Sequence, residues 1–434
     1  MMRMRFLLTS SALLLCGILV SVPSTPQGIH SEGLWLIGAD AWHDRGYEGQ
    51  GTVVAIWDTG FLGYEQLLST ELPPPERVVG VAIDVPLTGD PDSGGGTRHG
   101  TAIAEVIYDI APAAALRLLA SPADVDPARV EAILLAWHPD VVVISIYGGI
   151  ACANAEGAYE RLLRTLWDRG ILVVVAAGND GESYWNGRFS DVNGDGFHDF
   201  RSYDDGMSFA VYAGDVVDLY LHWGDPCSPH PDDYDLLLYD GAGTLIASSQ
   251  QDPAVDGYVE RIHSEGLSTG TYFVRICKAV GAASVELHLR WMNGRRIEYP
   301  TTSGSLRRVL PACSPYALTV GAVNVHTLWL ETYSSQGPAS EGAIKPELVG
   351  PDHVWTATTG PAFQRGGAWV GGFDGTSAAA PHVAGAALLL LQAFPALGPD
   401  ALRDLLMAHA ADRGAPGLDP QFGAGIVRLP PPPS

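Results

Sequence analysis

The sequence predicts an α/β fold with a central parallel sheet, interrupted by an inserted all-β sandwich. Two textures carry that expectation. From Gly51 to Gly178, and again from Tyr316, continuous apolar runs alternate with helical segments. Between Tyr184 and Pro300, short strand-like segments follow one another with Gly, Asp and Pro clusters between them.

Each element follows from its residues. Val53-Val54-Ala55-Ile56-Trp57 is unbroken apolar sequence ending in Asp58-Thr59-Gly60. Val141 to Ile146 ends in Gly148-Gly149, and Ile171 to Ala177 ends in Gly178-Asn179. Such runs read as strands buried on both faces, hence a parallel sheet covered by helices. Helices are expected over Ala128 to Trp137 and Ala158 to Arg169, closed by His138-Pro139 and Gly170. Strand and helix in alternation make βαβ units. In the middle block, Val216 to Trp223, Tyr234 to Tyr239, Thr271 to Ile276 and Ser284 to Arg290 are the expected strands of an antiparallel sandwich. Ala317 to Gly321 resumes the first texture, and Pro430 to Pro433 form an extended tail. The chain therefore divides into an export signal (1–25), an α/β domain in two parts (28–183 and 301–429), the insert (184–300) and the tail (430–434).

Composition supports this scale. At about 150 residues per domain, a chain of 434 residues holds about three domain-sized units. With 47% hydrophobic and 17% charged residues it has ample core material and too little charge for a disordered chain. Asp plus Glu number 49 against 25 Lys plus Arg, a net charge of −24. That field repels phosphate backbones and anionic bilayers, so nucleic acid is excluded as a partner.

The N-terminus reads as a secretory signal. Arg3 and Arg5 precede an apolar stretch from Phe6 to Val20, shorter than the ~20 residues a membrane span needs. Cleavage is expected between Ser21 and His30, giving a secreted protein with no membrane span after signal removal. Cys16 lacks the small preceding residue of a lipidation site, since Leu13-Leu14-Leu15 comes before it. Export makes the other four cysteines disulfide candidates. Cys227 and Cys277 share one block and are the favoured pair, leaving Cys152 with Cys313. None has the C-x-x-C spacing of a zinc or redox site.

Three motifs carry chemistry. Asp58 stands at the tip of a buried strand. His99, in Arg98-His99-Gly100-Thr101, opens an Ala-rich helix, and Ser377, in Asp374-Gly375-Thr376-Ser377-Ala378-Ala379-Ala380-Pro381-His382, opens a strongly apolar one. In such a set a histidine takes the serine proton, while the aspartate holds its tautomer and stabilises the imidazolium. A helix N-terminus favours negative charge developing on a substrate oxygen.

In the order Asp, His, Ser, these motifs resemble those of the subtilases, the subtilisin-like serine peptidases. The likeness includes Ala176-Ala177-Gly178-Asn179-Asp180, which makes Asn179 the side-chain oxyanion donor. It includes Ser145-Ile146-Tyr147-Gly148 as the substrate-binding strand, Tyr333-Ser334-Ser335-Gln336-Gly337-Pro338, and Phe422-Gly423-Ala424-Gly425-Ile426-Val427. The resemblance implies a three-layer α/β/α domain and a secreted endopeptidase, acting on proteins or peptides through an acyl-enzyme, with no cofactor required for chemistry. A monomer is expected.

The sequence departs from the family's pattern in four places. Ala378 stands where Met is usual, and Tyr147 replaces a glycine of the substrate strand. Little room exists for the usual propeptide, and the insert separates Asn179 from Ser377. A lipase or esterase is excluded, because Gly375-Thr376-Ser377-Ala378-Ala379 lacks the second glycine of G-x-S-x-G.

The insert offers a further motif. Asp191, Asn193, Asp195 and Asp199 alternate around Gly194 and Gly196, like a Ca²⁺ loop, although Ser202 occupies the twelfth position where a Glu is usual. Structural Ca²⁺ is therefore an expectation. The second functional reading is an exported calcium-dependent binding protein on the same scaffold. His382 is expected to pack inside its helix, and His198 to flank the loop without binding anything.

Overall fold

The structure, a computed structural model, describes residue 28 and residues 30–88, 97–146, 157–224, 232–250, 259–280, 284–292, 294–339 and 342–433. The signal segment, Cys16, Tyr147, Gly148, Cys152 and Cys227 lie outside these residues.

Five strands precede the insert: β1 (Val53–Asp58), β2 (Val78–Ala82), β3 (Ala115–Ala120), β4 (Val141–Ile144) and β5 (Leu172–Ala176). The insert follows with β6 (Tyr184–Arg188), β7 (Met207–Val211), β8 (Val217–Trp223), β9 (Asp233–Asp240), β10 (Leu245–Ser249), β11 (Val259–Ser264), β12 (Gly270–Val280) and β13 (Glu286–Trp291). After it come β14 (Leu318–Asn324) and β15 (Leu348–Asp352).

The main sheet has seven strands in the order β15-β14-β5-β4-β1-β3-β2, every neighbouring pair parallel. Its strands bury both faces, as their unbroken apolar runs require. Val54 and Ile56 face one core, with the apolar helix Thr376–Ala393 and the helix His99–Ile110. Ala55 and Trp57 face a second core, with the helices Pro127–Trp137 and Ala158–Asp168. The result is three layers. Trp57 stacks on Tyr159 at 5.4 Å and its Nε1 donates to Ser121 Oγ at 2.7 Å, fixing the strand that ends in Asp58.

Thr376–Ala393 is the one described helix long and apolar enough for a membrane span, and 89% of it is buried within the protein. It is the central core helix. His382, on that helix, is fully buried: one ring nitrogen bonds Ala378 O, and the other Ser31 Oγ, both at 2.8 Å. Burial pushes its pKa down to about 4, so it packs as a neutral ring.

The insert is a sandwich of two four-stranded sheets, β10-β9-β12-β7 and β11-β8-β13-β6, with all pairs antiparallel. Alternate residues of β8 and β9 point inward, Leu219, Leu221, Leu236 and Leu238 among them, onto Trp223, Ile276 and Trp291. The sequence did not mark β2, β3, β6, β7, β10, β11 or β15. Two of these are weakly patterned, since β2 is a half-exposed edge with Gly80 at its centre and β10 leaves Leu245 and Ile246 exposed.

The insert is pinned to the α/β domain by a buried ion pair. Arg290, in β13, donates to Asp180 at 3.2 Å and to Ser305 O at 2.7 Å, with its guanidinium 5.0 Å over the Tyr184 ring. Both charged side chains are essentially inaccessible. Removing one partner of such a pair strands the other charge, at a cost of about 3–5 kcal/mol. We expect Arg290→Met to lose about that much stability in urea unfolding. Arg290→Met combined with Asp180→Leu should recover a large part of it. A loss under about 1 kcal/mol for the single variant would show that the pair is not a structural clamp.

Candidate active site

The carboxyl ends of the parallel strands and the starts of two helices converge on one cleft. Asp58 closes β1 and is fully buried. Its carboxylate accepts Nδ1 of His99 at 2.7 Å and the Thr59 N–H at 2.7 Å. That contact fixes the tautomer, leaving Nε2 to face outward. His99 is the first residue of its helix, is about one-third exposed, and meets Phe373 edge-on at 5.6 Å. Burial works against its charged form. The Asp58 carboxylate, by charge and hydrogen bond, together with the charge of Asp374, outweighs this and holds its pKa above the ordinary value.

Ser377 stands in the first turn of the core helix, where backbone N–H groups lack partners within the helix. Gly375 ahead of it has φ +100°, a conformation that favours glycine, and an added Cβ would sit 3.0 Å from Asn179 Nδ2. The Gly375 N–H bonds the Tyr333 hydroxyl at 3.3 Å, and that hydroxyl donates to the buried Asp352.

Asn179 follows β5 and is latched by Thr376. The amide oxygen of Asn179 accepts both the Thr376 N–H at 2.9 Å and its hydroxyl at 3.0 Å, while Thr376 Oγ1 accepts the Gly178 N–H at 3.0 Å. With its oxygen occupied, Asn179 presents its NH₂ group for donation. His99, Ser377 and Asn179 line one cavity of about 360 Å³, without a direct hydrogen bond between His99 and Ser377.

Ser145 and Ile146, just beyond β4, line the same cavity, whose far wall is Val309, Leu310, Pro311 and Ala312. Ser145 Oγ is buried and has no hydrogen-bond partner among the described residues. The other two residues of the expected substrate strand, Tyr147 and Gly148, lie outside the described residues. Sequence reasoning missed the Thr376 latch, Phe373 and the Val309–Ala312 wall. Thr376 had a signal, its place in the serine motif. The wall had none, because it lies between insert and β14 with no motif of its own.

The acidic loop of the insert is ordered by hydrogen bonds from its own backbone to its carboxylates. Asp191 accepts the Gly194, Asp195 and Gly196 N–H groups, Asp195 accepts Phe197 N, and Asp199 accepts Val192 N. Asn193 bonds Asp195 in both directions. Only one Asp199 oxygen is buried without a partner. Among the described residues, the one grouping of three metal-ligating side chains is elsewhere: Glu331, Asp352 and His353, within 4.8 Å of one another. His198 Nδ1 accepts the Ser190 N–H at 3.0 Å and lies among Trp185, Phe189 and Phe200. Cys277 is half-buried and Cys313 buried, and their expected partners lie outside the described residues.

Comparison with known proteins agrees with this geometry. The sequence model of the subtilase family matches residues 279–425. Pyrolysin of Pyrococcus furiosus is 28% identical over 222 residues, covering 48% of this chain and 13% of that protein. M-protease of Shouchella clausii is 25% identical over 269 residues, covering 55% of this chain and 64% of that protein. Bacillopeptidase F of Bacillus subtilis is 35% identical over 101 residues, covering 23% of this chain and 7% of that protein. The chain thus matches less than two thirds of each of these relatives. In fold it is similar to the CspB protease of Clostridium perfringens, with a TM-score of 0.56 at 16% identity over 90% of this chain and 95% of that one. Motifs, layered sheet and family match agree in likening this chain to the subtilase family.

Proposed function

We propose that the protein is a secreted serine endopeptidase that hydrolyses peptide bonds in proteins. The observation that carries this reading is the convergence of the Asp58–His99 pair, Ser377 and Asn179 on one cavity. Ser377 Oγ attacks the scissile carbonyl carbon as His99 Nε2 takes its proton, with Asp58 holding the opposite ring nitrogen. The tetrahedral oxyanion receives hydrogen bonds from Asn179 Nδ2 and the Ser377 N–H. Collapse returns the proton to the leaving amine and leaves an acyl-Ser377 ester, which water hydrolyses by the same route. The wall of Val309, Leu310, Pro311 and Ala312 beside Ile146 favours an apolar side chain on the acyl side of the cut. The apolar stretch after Arg3 and Arg5 supports secretion.

The first test is casein hydrolysis by the mature protein beside Ser377→Ala. We expect the variant to lose at least about 10³-fold in kcat, and the wild-type cuts to follow apolar residues. Equal, near-zero hydrolysis by both folded proteins would overturn the peptidase reading in favour of a binding protein.

The pH profile supplies a second test. Catalysis needs neutral His99, so kcat/KM should rise with pH through a value above 6.5. Asp374→Asn removes a charge that favours the imidazolium, and should move that acid limb to lower pH. An unmoved limb would detach Asp374 from His99.

A structural calcium ion in the Asp191–Asp199 loop remains part of the reading from sequence, and chelation tests it. We expect a chelator to lower Tm of the wild type, with Ca²⁺ reversing the fall and Asp191→Ala showing none. An unchanged Tm would remove the ion from the loop.

A further inference from the structure

The insert also reaches the site. A second cavity of about 420 Å³ shares Asn179 with the first but excludes His99, Ser377 and Ser145. One side is the serine loop, at Asp374 and Gly375. The other belongs to the insert, at Asp215, Trp291 and Arg295. A peptide whose acyl part fills the first cavity, with its reacting carbonyl at Asn179, has this second cavity open to the segment beyond the cut.

The charges of that cavity are arranged. Arg295 is held side-on by Asp215, Nε to one oxygen at 2.9 Å and a terminal nitrogen to the other at 3.1 Å, with its guanidinium 4.7 Å over the Tyr212 ring. Those two charges balance. Asp374 is exposed and makes no hydrogen bond or ion pair among the described residues, so one carboxylate is left over. Val216, whose carbonyl accepts the Trp291 ring nitrogen at 3.0 Å, is exposed beside it and adds an apolar surface that the stem of a long cationic side chain can cover.

We propose that this cavity holds the residues on the leaving-group side of the scissile bond and selects Lys or Arg there. Asp374 is the charge partner, and the inserted sandwich is the outer wall. The inference rests on the peptidase reading and adds to it a role for the insert in specificity.

The test uses full-length mature protein and peptides with one constant acyl part, carrying Lys, Leu or Asp at the first two positions beyond the cut. A p-nitroanilide with the same acyl part, which has no peptide on the leaving side, serves as reference. Lys peptides should exceed Asp peptides in kcat/KM by about tenfold. Asp374→Asn should reduce that ratio by about fivefold, and Arg295→Ala should raise it by about threefold, because Asp215 loses its counter-charge. Ratios within one variant cancel general losses of activity.

Anilide cleavage by the wild type without discrimination among the peptides overturns the subsite and leaves the peptidase reading standing. A ratio unchanged within about twofold in Arg295→Ala removes the insert from specificity and overturns the proposal. No cleavage of anilide or peptides by folded wild type overturns both readings.

Discussion

The buried contact between Arg290 and Asp180 is the constraint on which the arrangement turns. A sandwich of more than a hundred residues leaves the α/β domain directly after the segment that carries Asn179. Without an anchor, that exit point would swing with the insert. Arg290 removes the freedom by placing a buried charge against Asp180 and the Ser305 carbonyl. Low dielectric makes the geometry exacting, because a misplaced partner leaves a bare buried charge. The insert is thereby tied directly to the segment that carries Asn179.

The remaining site residues are placed by the sheet. Parallel strands deliver their carboxyl ends to one edge, so Asp58, Ser145 and Asn179 arrive there from β1, β4 and β5, which are neighbours in the sheet. The helices that carry His99 and Ser377 pack together on one face of that sheet. Their N-termini meet the strand ends without any long loop to fix. Thr376 closes the arrangement by tying Asn179 to the serine helix at both its backbone and its hydroxyl.

Much of this was legible in the sequence, for a physical reason. Strands buried on both faces cannot disguise their apolar runs, and polar residues that interrupt such runs at an end stand out, as Asp58 and Asn179 do. Edge strands carry no such signature, which is why β2 and β10 escaped notice. The Thr376 latch depends on which amide faces a hydroxyl about two hundred residues away, and no local pattern encodes that. The acidic loop shows the converse. Alternating Asp and Asn around glycines reads the same whether the oxygens turn toward a cation or toward the loop's own N–H groups. In the structure several of them accept the loop's own N–H groups, a contact that leaves further lone pairs available.

The order of the parts along the chain bears on how a cell can make such a protein safely. Asp58, His99 and Asn179 are all synthesised before the sandwich, whereas Ser377 comes 197 residues after the Asp180 that Arg290 clamps. A ribosome-bound chain can fold five of the seven sheet strands and the entire insert before Ser377 is made. On the proposed reading, neighbouring nascent chains meet an incomplete hydrolase for most of its synthesis. On that reading competence arrives with the last helix pair, when the serine helix packs onto one face of the sheet.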